Sequence, residues 1–441
     1  MEHVSNIQRD TVEDVFIEPN SKNFDDDGFV AVWIDLFGNN FRDKFPNDFD
    51  AWNVKKQSSW IKQNLAIFFP NVPHTILSFI SAAYCQLDFY RSPEELPEWM
   101  NMDKYRRGQK FVQNHYFSII MAKFMGLICI FSFKEGLSAF LLGEHSHTPY
   151  LGFKKYISTI IRMSNWYKGD PWVKGTKAYK DMQVTCRMHL AVRKKVCQME
   201  HEQITSACTF ANPWSLDREL LLKDFASAGL PEKFEPDKFV SKLPCKPKGI
   251  NNSDFAIAQG AFVTLPLLYS QSIGIYNATD EDLEAFCHMW KCFGYFLGLE
   301  DEYNFCRGSL EEIKQRGRDL QYWIKEHFKE LTPEWEHTSR CLVNSINYIV
   351  TYYMPFKVMI LFITDALDLN MPHLYASLSY AELITYKIYK ALFYALKFSS
   401  VRAIINKIAL KLINRAANFN AEKLEKIHEQ SKKIVPDFSL T

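Results

Sequence analysis

The segment VTCRMHLAVRKKV, residues 184 to 196, sets a histidine one helical turn before an arginine, His189 and Arg193. Val184, Met188, Val192 and Val196 recur at i, i+4 and make an apolar row, and Thr185, His189 and Arg193 make the row beside it. An imidazole nitrogen for iron, a cation for a propionate and apolar flanks for a macrocycle are together what haem ligation needs. A hydrogen-bonded core histidine beside a surface arginine has the same spacing, and spacing alone favours that plainer reading. A second segment, LGFKKYISTIIRMSNW (151 to 166), sets Lys155 and Thr159 at i, i+4, with Arg162 one turn further on. A cation and a hydroxyl held together on one face could orient dioxygen or a peroxide; a back-bonded threonine and a solvated lysine would look no different in sequence.

Helices must position these groups. The chain has 17 Gly and 18 Pro in 441 residues, about 8% together against roughly 12% in ordinary globular chains, so tight turns are few and elements long. From Asn47 onward apolar residues recur at helical spacing, broken at FPNVP (69 to 73), RSPEELP (91 to 97), EHSHTPYLG (144 to 152), KGDPW (168 to 172), LPCKPKGINN (243 to 252), ELTPEW (330 to 335) and NMPH (370 to 373). The segments between are too long for strands, which predicts an all-α chain forming one large multi-helix domain over residues 46 to 435. Residues 1 to 45, with DDDG at 25 to 28, read as a loosely ordered N-terminal arm. Asp170 with Pro171 and Asn212 with Pro213 each read as an N-cap followed by a first-turn proline, the second opening a helix at Trp214.

The order of several segments resembles a known family. RGQKFVQNH (107 to 115), a long apolar helix, the break at EHSHTPYLG, the Lys-x-x-x-Thr helix and RMHLAVR (187 to 193) are followed by NNSDFAIAQG, with a D-x-x-x-x-Q pattern, and by a G-x-x-LG pattern. Over residues 107 to 302 this run is similar to the family of latex-clearing protein (rubber oxygenase) and the endoplasmic-reticulum-bound oxygenase mpaB. The resemblance implies a globin-like all-α core with extra helices around a haem b whose iron is held by His189. Lys155 and Thr159 would stand on the distal, catalytic side, and Arg187 and Arg193 would meet the propionates. The family tends to carry arginine where this chain has Lys155, which keeps the charge but not the bidentate fork. Some members have lysine where this chain has Ser158. A carboxylate base on the preceding helix would be Glu135 or Glu144, between which spacing does not choose. The implied activity is an O2-dependent oxidation or cleavage of a carbon–carbon double bond in an unsaturated, isoprenoid-type lipid; the competing expectation is a haem- or lipid-binding protein that keeps the fold without the activity.

Composition bears on partners and location. With 52 Lys+Arg against 51 Asp+Glu the formal charge is +1, so no general field for nucleic acid exists and none is expected as a partner. Ten scattered cysteines without a CxxC suggest a reducing compartment, and the polar, acidic first twenty residues do not read as a secretory signal. These point to the cytoplasm or the cytoplasmic face of the endoplasmic reticulum. The apolar runs Phe117 to Phe133 and Tyr348 to Ile363 are interrupted by Lys123 and by Pro355 with Lys357, and fall short of about 18 clean apolar residues, so they read as core helices. Residues 379 to 419 carry five lysines and two arginines against Glu382, interleaved with Tyr386, Tyr389, Phe393, Tyr394 and Phe398. That pattern suits peripheral contact with an anionic membrane, or an amphipathic helix with a solvated basic face. His145-x-His147 lacks a third metal ligand by spacing, and no GxSxG, Walker or GxGxxG motif is present.

Overall fold

The 3.6-residue apolar period becomes helix in the described residues. The computed structural model describes residues 29–31, 33–34, 42–70, 72–143, 146–227, 249–350 and 352–435, and among them there is no β-strand. The all-α, single multi-helix architecture read from the sequence is the one observed.

The interior is built on α1 (Met102–Asn114) and α2 (Tyr116–Ile130), followed by α3 (Lys134–Leu142), α4 (Pro149–Trp166) and α5 (Lys177–Gln198). After a gap come α6 (Asn252–Leu268), α7 (Asp280–Phe296), α8 (Leu310–His327), α9 (Pro333–Asn347) and α10 (Phe356–Ala366), and the chain ends in α11 (Tyr380–Ala395), α12 (Ser399–Ala417) and α13 (Ala421–Ile434). α2 is buried nearly all round, as its continuous apolar sequence requires. Lys123, which interrupts that sequence, is itself buried, its Nζ 4.2 Å from the Tyr167 ring centre and 3.7 Å from Met163 Sδ. Burial holds its pKa well below the usual lysine value. α1 lies against α7 so closely that at Gly108 the place of a Cβ is taken by the Ala285 carbonyl and Met289 Cβ. No helix among the described residues is long and apolar enough to cross a membrane.

Two helix starts differ from the sequence reading. The Asp170 carboxylate is engaged by the Arg106 guanidinium instead of capping a helix, and α5 begins at Lys177, with Thr176 Oγ1 accepting from the Tyr179 amide at 3.1 Å. Likewise no helix opens at Trp214. The amides of Trp214, Leu216 and Asp217 donate to His337 Nδ1 and Glu336 Oε1 at 2.8–2.9 Å, and the helix starts only at Arg218. In both places a tertiary partner takes the groups that a local cap would have used. Within the stretch read as a loose arm, residues 29–31, 33 and 34 are helical. Phe29, Val30 and Trp33 are buried there in a satellite core with Phe45, Phe49, Leu65 and Phe68.

Candidate functional site

α4 and α5 carry the groups singled out by the sequence. α4 starts cleanly because Thr148 Oγ1 accepts from the Leu151 amide and Pro149 occupies the first turn. Its residues Lys155, Thr159 and Arg162 fall at i, i+4 and i+7 and share one face. Lys155 Nζ donates to Ser146 Oγ at 2.8 Å and lies 4.7 Å from the Phe140 ring centre. Arg162 Nη1 reaches Met188 Sδ at 3.3 Å, which sets the face of α4 against the turn of α5 that bears His189. From α6, Phe255 closes edge-on against the His189 ring, centroids 4.9 Å apart at 82°.

His189 Nδ1 is buried and makes no hydrogen bond, and no partner of Nε2 occurs among the described residues. Lys155 and His189 lie deep in the protein yet keep part of their side-chain surface uncovered, and Thr159, on the same face between Lys155 and Arg162, is exposed. Burial first, then the charges of Lys155 and Arg162, pull the His189 pKa down to about 4. The imidazole is therefore neutral at pH 7, the form that ligates metals. Burial alone brings Lys155 to about 8, so its Nζ can both hold and release a proton near neutrality. Arg162 is lowered by burial and partly restored by Asp181.

The other expected residues are placed less favourably. Arg187 is exposed. Standing two residues from His189 it points about 200° away around the helix. It therefore does not share a pocket with the imidazole, and Arg162 is the guanidinium that does. Arg193 shares the His189 face but donates to the Ile250 carbonyl. Thr159 Oγ1 donates to the Lys155 carbonyl at 3.0 Å, so its hydrogen is spent within its own helix and only its lone pairs can engage a further group. Glu135 falls in the first turn of α3, while Glu144 and His145 lie outside the described residues. His147 is buried beside Phe210, 5.6 Å between ring centres. A group of three metal-capable side chains, Glu425, His428 and Glu429, lies on α13 and has no relation to His147.

In the second segment of the motif run, Gln259 Nε2 donates to the Trp290 carbonyl at 2.6 Å and Oε1 accepts from the Phe305 amide, so this glutamine ties α6 to α7. Asp254 completes a capping box with Asn251. Sequence reasoning missed Ser146, Phe140 and Phe255; Phe255 stood inside NNSDFAIAQG, but nothing local marks which phenylalanine of an apolar helix meets a histidine.

No family model, curated protein or solved structure matches this chain. What the arrangement can do chemically is thus argued from its own groups. It offers a neutral imidazole with both nitrogens unpaired, the cations Lys155 and Arg162, a hydroxyl and aromatic neighbours.

Proposed function

We propose that this chain is a haem b-dependent oxygenase acting with O2 on a carbon–carbon double bond of an unsaturated, isoprenoid-type lipid. The observation that carries the reading is His189: deep in the core, neutral, and without a hydrogen bond at either nitrogen, where most buried polar groups are paired. The residues fit the group. His189 would hold the iron, Arg162 and Arg193 lie within the same two helices to face the propionates, and Phe255, Met188 and Val192 give apolar flanks. A bound haem supplies redox chemistry with dioxygen. The chain's own groups would do the rest: Phe140 and Phe255 exclude water and seat an alkene, the Thr159 lone pairs orient a donor, and Lys155 Nζ delivers a proton.

A non-catalytic haem- or lipid-binding protein is favoured by one observation, the engagement of the Lys155 ammonium by Ser146 and of the Thr159 hydroxyl by its own helix. Titration of the purified chain with hemin, followed by ultraviolet-visible spectroscopy and a pyridine haemochrome count, tests the cofactor. The expected result is a Soret band at one haem per chain that is lost in His189→Ala; unchanged haem content in that variant refutes the ligand assignment. Carbonyl products from a polyprenoid under oxygen then separate the oxygenase from the binder.

A further inference from the structure

The outer face of α11 and α12 breaks the rule that the side of a surface helix opposite the core is polar. On α11 the core side is Thr385, Tyr389 and Phe393. The residues pointing away are Tyr380, Ile384, Lys387, Ala391 and Tyr394, at i, i+4, i+7, i+11 and i+14. α12 repeats the pattern: its core side is Asn406, Ile413, Ala416 and Ala417, and its outer side is Ile404, Ile408, Lys411 and Arg415, at i, i+4, i+7 and i+11. Tyr380 is 80% exposed, Tyr394 59%, Ile404 58% and Phe398, at the corner between the helices, 55%. Of the 16 large hydrophobic side chains exposed among the described residues, eight fall between Tyr375 and Ile408.

The charges on this face are as telling as its apolar groups. Lys387, Lys397, Lys407, Lys411 and Arg415 have no ion pair among the described residues, whereas the Lys390 ammonium is bound to Asp365 at 2.7 Å. The local acid, Glu382, is spent on capping α11 at Ser379. Lys397 Nζ lies 3.6 Å from the Tyr394 ring centre and 5.0 Å from that of Phe398, a cation clasped by two exposed rings.

We propose that this face docks on an anionic lipid bilayer, its isoleucines and rings entering the headgroup boundary and its unpaired cations meeting lipid phosphates and carboxylates. Charge complementarity selects this occupant. A second copy of the chain would set like charges against each other, and a nucleic acid would leave the isoleucine rows in water. The proposal does not depend on haem: the His189→Ala chain should dock as the parent does.

Sedimentation of the full chain with phosphatidylserine–phosphatidylcholine vesicles, against phosphatidylcholine alone, tests it. Binding is expected on the anionic vesicles and weakened by salt. It should drop about fivefold per cation neutralised in Lys411→Gln with Arg415→Gln, and by at least tenfold in Tyr394→Ser with Phe398→Ser. All four positions are exposed, so the thermal melt of each variant should match the parent, which keeps a loss of binding from being a loss of fold. Equal binding to neutral vesicles, no binding to either, or indifference to both variants would overturn the proposal. So would a self-associated chain that the same substitutions convert to monomer, or a preference for duplex RNA over vesicles.

Discussion

Two buried histidines, His337 on α9 and His189 on α5, sit in opposite surroundings. His337 accepts from the Trp214 amide through Nδ1 at 2.8 Å, and its Nε2 meets the His147 carbonyl at 2.8 Å, which fixes its tautomer. Next to it Glu336, fully buried, accepts from Ser215 Oγ, from the Leu216 and Asp217 amides and from Arg340 Nε, at 2.7–2.9 Å. Arg340 in turn engages Asp217, with Lys357 3.6 Å beyond. Every charge there has a partner of opposite sign. Around His189 the charges are Lys155 and Arg162, both cations, and the imidazole has no hydrogen bond. Burial lowers the pKa of both histidines, so depth does not separate them. Satisfaction does: a closed network holds 214–217 against α9, whereas the His189 imidazole is left without a hydrogen bond between two cations.

The comparison breaks most visibly where the closed network is cut. Glu336→Leu takes the acceptor from Arg340 Nε and from two part-buried backbone amides and should lower stability by about 3 kcal/mol in urea unfolding; a loss below about 1 kcal/mol would mean the network is not structural. Lys155→Met should act in the other direction. Burial costs the ammonium some of its charge stability, so removing the charge should raise stability by about 1–2 kcal/mol at pH 7, less than the pKa depression corresponds to because the Lys155 side chain keeps part of its surface uncovered. The sign follows from linkage: the folded pKa, about 8, lies below the usual lysine value, so the parent gains stability as pH rises above 8. The advantage of the methionine variant should therefore shrink over that range. A destabilised Lys155→Met would show that the hydrogen bond to Ser146 outweighs the burial of charge.

The helices were legible because period and spacing are local properties; that Lys155 on one helix would act on His189 on the next came from the family resemblance, since no local window joins the two helices. The caps at Asp170 and Asn212 were misread because Arg106, Glu336 and His337 reach those turns from 64 to 123 residues away, which no window along the chain contains. Arg187 was misplaced by motif matching, although helix arithmetic alone sets it opposite His189. Phe255 and Ser146 became visible only when α6 and the start of α4 closed on the imidazole and the lysine. The exposed rings of α11 and α12 were legible as composition, but which of them face water is decided by packing against the core.

Acid titration gives the finest resolution of the two histidine environments. His115, His189 and His288 are all pulled from 6.5 to about 4, each by burial first, then by Arg402 for His115, by Lys155 and Arg162 for His189 and by Lys104 and Lys291 for His288. Between pH 4 and 6.5 the unfolded chain thus binds more protons than the folded one, so stability falls as pH drops through that window. His189→Leu removes one such contribution and should make the acid limb of the stability profile shallower by about one proton. An unchanged slope in urea unfolding across this range would mean that water reaches His189 well enough to leave it an ordinary histidine, and with it would go the contrast with His337.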